Sequence, residues 1–172
     1  MKGLDRLLKP LNGRIQMMIG RAVILAADDA LKAQGLQVEL LDGEVQDGVE
    51  HFQHYGLTSV PLSGAEAVVA FVAGLRSHGI CIGTVDRRFR LTGLQPGEVA
   101  LHDDQGQKVH ITRDGIVIET DKPVTVRSQS VLLEADAIDL GAVGGQPVAR
   151  VGDDVNLSTG KIISGSGKVK AA

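Results

Sequence analysis

The sequence predicts an all-β protein: an N-terminal barrel of the OB type, then an intertwined trimeric triple-stranded β-helix, with a short N-terminal helix ahead of both. Three observations predict it. Runs of β-branched and aliphatic residues separated by turn formers fill the first half. Short apolar pieces recur at intervals of seven or eight residues in the second. Aromatics make up only 2% of the 172 residues while glycine reaches 22, which disfavours helical and aromatic-rich cores.

Leu4, Leu7, Leu8 and Leu11 fall at helical spacing. Pro10 is expected to stop that helix after about two turns. Five strand-like pieces follow: Arg14–Asp28, Leu36–Leu41, a short piece around Phe52–Thr58, Ala65–Ala73 and Gly79–Val85. Asp42-Gly43, Asp47-Gly48 and Ser63-Gly64 supply turn chemistry between them. Closing five strands into a barrel removes the sheet edges that an isolated sheet would expose.

All four aromatics, the three Met and Cys81 lie before residue 90. That shift places a junction near Thr92, with Gln95-Pro96-Gly97 as a connecting turn. The predicted segments are 1–12 helical, 13–92 barrel, 93–141 β-helix and 142–172 tip. Beyond the turn, Val109-His-Ile111, Ile116-Val-Ile118, Val124-Thr-Val126, Val131-Leu-Leu133 and Ile138-Asp-Leu140 each show the two-residue alternation of a half-buried strand. The inward positions are predicted to be Val109, Ile111, Ile116, Ile118, Val124, Val126, Leu133, Ile138 and Leu140. Five such pieces make less than two coils of a three-faced helix, too few for one chain to bury a core. Three chains around a common axis solve this, and a narrow axis has room for Val, Ile and Leu but not for three rings at one level.

Several motifs carry a family resemblance: Leu36-Gln-Val-Glu-Leu-Leu41, Glu50-His-Phe-Gln-His-Tyr-Gly56, Pro61-Leu-Ser-Gly-Ala-Glu66, Arg76-Ser-His-Gly79, Asp86-Arg-Arg88 and Gly93-Leu-Gln-Pro-Gly-Glu-Val99. Across most of residues 1–120 the chain resembles the baseplate spike proteins of Mu-like contractile-tailed phages, also called baseplate assembly protein V. The resemblance implies a homotrimer whose barrel docks on the tail hub. It implies a β-helix driven into the host outer membrane on sheath contraction, in a virion component made in the host cytoplasm. Val148-Ala-Arg-Val-Gly-Asp153, Gly160-Lys-Ile162 and Gly165-Ser166 look like the tip module of such spikes, with Val148, Arg150, Val151, Asp153, Ile162 and Ile163 as its expected framework. In the phage Mu-type tip, histidines from three chains hold a metal ion. Here the histidines stand at 51, 54, 78, 102 and 110, outside residues 142–172, so no tip metal or other cofactor is expected.

Other features have ordinary explanations. His51 and His54 lack a helix and a third ligand, which favours a turn or strand role over a metal site. Arg87, Arg88 and Arg90 could meet phosphates, but a pI near 5.9 and few aromatics argue against nucleic acid. Gly165-Ser-Gly-Lys168 lacks the spacing of a phosphate loop. Cys81, in an apolar run, reads as a buried thiol, and Asp103-Asp104 and Asp153-Asp154 as turn residues. No Gly-x-Ser-x-Gly elbow occurs, and a β-helical glycan hydrolase or lyase would need more coils and aromatic platforms, so no enzyme is expected. The rival expectation is an OB-type binding module on a trimerising stalk, acting as a hub adaptor or receptor-binding protein.

Overall fold

The computed structural model describes residues 2–141 and 143–171. Ala142 and Ala172, the ends of the expected tip segment, lie outside the described residues. The protein is mostly β and divides into two compact units, Met1–Pro123 and Val124–Ala172.

Helix α1 spans Lys2–Gln16 and runs through Pro10 instead of stopping there. A proline within a helix forfeits one backbone hydrogen bond. The apolar period nevertheless continues across it to Leu11 and Ile15, and the end of the helix is held by tertiary contact. That contact is with the 3-10 turn Val72–Gly74, where a Cβ built on Gly74 (φ +71°) would lie 2.4 Å from the Arg14 carbonyl oxygen.

The barrel consists of β1 (Ile19–Asp28), β2 (Gly35–Glu39), β3 (Val45–His51), β4 (Glu66–Phe71) and β5 (Gly79–Val85), closed in the order β1-β2-β3-β5-β4. All pairs are antiparallel except β3 with β5, where His51 stands opposite Cys81. Alternation places Ile24, Leu36, Val38, Val49, Val69 and Phe71 inside, where each is essentially buried. Burial at this level is worth about 1.5–3 kcal/mol per large aliphatic side chain.

Two local expectations differ from this arrangement. The third strand is Val45–His51, and the Phe52–Thr58 piece is a loop that turns at His54–Leu57 with Gly56 at φ +84°. Asp47-Gly48 is not a turn between strands but an extra residue within β3: Leu36 and Val38 face Val49 and Gln46, so two residues of β2 span three of β3. Gly48 takes the left-handed conformation that such a bulge requires (φ +67°).

Beyond the barrel, the Gln95–Glu98 turn leads into β6 (Val99–His102), β7 (Lys108–Ile111) and β8 (Ile116–Glu119), a three-stranded antiparallel sheet. In the second unit, β9 (Ile138–Leu140) pairs in parallel with β13 (Val169–Ala171), which also pairs antiparallel with β10 (Gln146–Pro147). A hairpin of β11 (Val155–Asn156) and β12 (Lys161–Ile162) lies between these in sequence.

Candidate functional site

The first candidate surface is one face of the β6–β8 sheet. Directly opposed residues in an antiparallel pair share a face, as do residues two apart on a strand. The register sets Val99, Ile111 and Ile116 in one row and Leu101, Val109 and Ile118 in the next. Six aliphatic side chains thus form one surface, and each is between 38% and 70% exposed in the single chain. Of the predicted inward positions, Val109, Ile111, Ile116 and Ile118 are brought together here. Val99 and Leu101 belong to the same face and were not among the expected positions, although Val99-Ala-Leu101 has the alternation of the later pieces. The opposite face carries Lys108 and Glu119, paired at 2.9 Å, beside His102 and His110.

Glu98 fixes the start of this sheet. Its carboxylate accepts the Gln95 N–H at 2.9 Å and the Arg113 N–H at 3.2 Å, with His110 Nε2 at 3.3 Å. The Gln95 bond is the largest of the influences that hold the carboxyl below its ordinary range. Gly97 has φ +85°, and a Cβ there would meet the Arg113 guanidinium at 2.7 Å.

The second candidate is the segment 123–137. Between Glu119 and Ile138 the backbone forms no strand, and Ile138 N–H, donating to the Lys168 carbonyl at 2.6 Å, is where main-chain pairing resumes. Val124, Val126, Val131, Leu132 and Leu133 are all mostly exposed on it. Of the other expected inward positions, Ile138 is half-buried and Leu140 exposed, both on β9.

In the expected tip, Arg150 and Asp153 form a compact turn. The Asp153 carboxylate accepts the Arg150 backbone N–H at 2.6 Å and its guanidinium at 3.0 Å, and the side-chain bond leads the causes that lower its pKa. The same guanidinium donates to the Gly165 carbonyl at 3.2 Å, bridging to the chain that returns toward β13. Val148 bonds that returning chain through Val169 and Ser166, Ile162 pairs with Val155, and Ile163 N–H donates to the Asp154 carbonyl. Val151 stands exposed at the Arg150–Asp153 turn. Gly165-Ser-Gly-Lys168 is not a phosphate loop: Ser166 Oγ accepts the N–H groups of Lys168 and Val169 and so starts β13.

The remaining candidates are separated and internally paired. Buried His51 bonds Gln34, whereas His54 is exposed. Arg87 bonds Glu66 at 2.8 Å, and Arg88 bonds Asp86 at 2.6 Å. Cys81 is buried, and burial pushes its thiol pKa up, away from nucleophilic use. Asp103 caps its own turn through the N–H groups of Gln105 and Gln107. Among the described residues no cluster of three His, Cys, Asp or Glu side chains is placed to hold a metal ion.

Comparison with known proteins points to one source. The family described as Bacteriophage Mu Gp45, N-terminal, matches residues 21–88, which lie almost wholly in the barrel. The "Baseplate puncturing device gp45" of Escherichia phage Mu is 46% identical over 123 residues, covering 72% of this chain and 62% of that protein. The "Mu-like prophage FluMu protein gp45" of Haemophilus influenzae is 36% identical over 138 residues, covering 80% of this chain and 75% of that one. With a closed five-stranded barrel on the matched residues and an identity that extends well past it, this chain belongs to the baseplate spike family of Mu-like phages.

Proposed function

We propose that the chain is the structural spike of a contractile tail baseplate, a homotrimer that caps the tail hub and is driven through the host outer membrane when the sheath contracts. The observation that carries this reading is the pair of unpartnered surfaces in the stalk. Six aliphatic side chains on one sheet face stay between 38% and 70% exposed in a single chain. Burying a whole aliphatic side chain is worth about 1.5–3 kcal/mol, so covering what is still exposed on each gains roughly half of that, and three copies about an axis cover all of them at once. The backbone between Glu119 and Ile138 needs strand partners that its own chain does not supply. Neighbouring copies supply them if Val124–Val126 and Val131–Leu133 wind around each other as a triple-stranded β-helix.

In this reading the barrel that begins at β1 is of the OB type and lies on the hub side, 93–141 form the shaft and 142–172 the tip, with α1 as a helical lead. The shaft begins as three separate antiparallel sheets, β6–β8 of each chain, and becomes intertwined only after Glu119. Its work is mechanical: sheath contraction provides the energy, and hydrogen bonding between chains provides stiffness. No residue is assigned a catalytic role, and no nucleic acid or cofactor takes part.

Sedimentation equilibrium of the whole chain is the direct test, with a trimer of about 54 kDa expected from the 18.1 kDa protomer. A folded monomer at micromolar concentration overturns the spike. Labelling the protein in intact particles should then place it at the distal centre of the baseplate; a position on peripheral fibres would instead favour a receptor-binding role.

A further inference from the structure

We propose that the three barrels clasp one another head to tail, the basic helix α1 of each chain lying on the acidic β2–β3 hairpin of the next copy. This inference rests on the trimer proposed above and names a contact that the stalk does not require.

Charge is unevenly distributed along the barrel domain. Lys2, Arg6, Lys9 and Arg14 stand on α1 against the single acid Asp5. Between Lys32 and Arg76 there is no Lys or Arg, while Glu39, Asp42, Glu44, Asp47 and Glu50 all lie on or beside the β2–β3 hairpin. Within one chain, Glu44 is met by Arg76 at 3.5 Å, and among the described residues Lys9, Arg14 and Glu39 are in no ion pair.

Each of these two surfaces also has apolar residues without cover. Leu11 and Ile15 are more than half exposed on α1, which packs on the Val72–Gly74 turn. On the hairpin, Leu41 is 83% exposed and Val45 about half. Both surfaces are at the same end of the barrel. Ile19, next to the end of α1, stands opposite Ala70, and a Cβ on Gly20 would touch Leu40 at 3.0 Å beside the 3-10 turn Leu41–Gly43. The β6–β8 sheet continues from the other end, where β5 finishes at Val85 opposite Glu66.

A basic apolar ridge and an acidic apolar ledge at one level on one molecule are complementary to each other, not to themselves. Such a contact is head-to-tail, and three repeats of it close a ring. A second copy therefore fits both surfaces at once. A tail partner fitting the same end would need acid over the helix and base over the hairpin.

Cysteine substitution tests the contact directly, because the native Cys81 is fully buried. The chain with Ile15→Cys and Leu41→Cys, mildly oxidised as the purified trimer, should give covalent dimers and trimers on a denaturing gel. Coexpressed chains bearing one substitution each should give covalent dimers. The pair Ile15→Cys with Tyr55→Cys should give none. Lys9→Glu with Arg14→Glu should lower the cross-linking yield at least threefold, and adding Glu39→Lys with Glu44→Lys should restore it. A trimer whose oxidised chains remain monomeric on the gel overturns the clasp and leaves the spike intact. A wild-type chain that sediments as a monomer overturns the trimer itself. Cross-linking unaffected by charge reversal overturns the electrostatic complementarity on which the proposal depends.

Discussion

His51 Nδ1 lies 2.7 Å from Gln34 Oε1 inside the barrel mouth, and this contact fixes a tautomer. Gln34 Nε2 already donates to Asp29 Oδ1 at 2.7 Å and to the Ser59 carbonyl at 3.1 Å, so its oxygen is the group that faces the ring. The ring therefore carries a proton on Nδ1. Gln53 holds the same Ser59 carbonyl at 2.9 Å, so His51 anchors the network that pins the 52–65 loop.

Burial lowers the His51 pKa from its ordinary 6.5. The unfolded chain thus binds the proton more readily than the folded one, and stability rises with pH across that interval. Stability should be full above pH 6.5 and fall as pH drops below it toward the folded value, at up to about 1.4 kcal/mol per pH unit. Thermal melts at pH 7.5 and 5 should show a lower Tm at pH 5. His51→Asn should be less stable at pH 7.5 but show a smaller pH dependence, and an unchanged dependence would place the titrating group elsewhere.

Gly74→Ala should release α1 from the barrel. The added methyl has no room beside the Arg14 carbonyl, and the left-handed backbone disfavours any side chain. A cost on the order of 1–3 kcal/mol is expected locally. Since the helix lies outside the strand network, the barrel should stay closed while amides of residues 11–17 lose protection in hydrogen exchange. Equal loss throughout β1–β5 would show that α1 is integral to barrel stability.

Ile118→Asp separates folding from assembly. In one chain Ile118 is 65% exposed, so a carboxylate there costs the lone protomer little. In a trimer it puts three carboxylates into a dry core, where lost solvation and like charge act together. Sedimentation should find folded monomers or trimers of much lower heat resistance. Glu119→Ala, which removes only the partly exposed pair with Lys108, should shift stability by no more than about 1 kcal/mol. Equal tolerance of both would mean that the sheet faces are assigned the wrong way round.

The sequence was most legible where one short rule decides structure. Gly79–Val85 is a strand at the expected bounds because its aliphatic alternation is flanked by turns on both sides. The β7 and β8 pieces were equally clear. Phe52–Thr58 misled because its aromatic and aliphatic residues carry strand propensity, while the pairing positions are taken by Val45–His51, where Gln46, Asp47 and Gly48 interrupt the apolar alternation. Pro10 misled because an intrinsic cost of about 3 kcal/mol can be offset by packing that the sequence does not display. Val99 and Leu101 have the right alternation but precede the regular spacing that begins at Val109, so register rather than sequence places them on the apolar face. The His51–Gln34 contact joins residues 17 apart in sequence, and no local pattern marks it.

The tip should hold no transition metal. Nitrogen-bound iron or zinc needs imidazole, and residues 142–172 contain neither His nor Cys. The best oxygen donor there is already engaged: the Asp153 carboxylate takes hydrogen bonds from the backbone and guanidinium of Arg150, which lower its pKa and keep it on that partner. A trimer can instead close its end with aliphatic side chains such as Val151, Leu157 and Ile163, all exposed in the single chain. Elemental analysis of protein purified without a metal-binding tag should find well under one transition metal per trimer, and chelator should leave the Tm unchanged. Conversely, Arg150→Ala frees the carboxylate and unties Gly165, so it should loosen the tip and lower protection of the Val169–Ala171 amides. Stoichiometric iron that survives chelation in the wild-type protein would overturn this account of the tip.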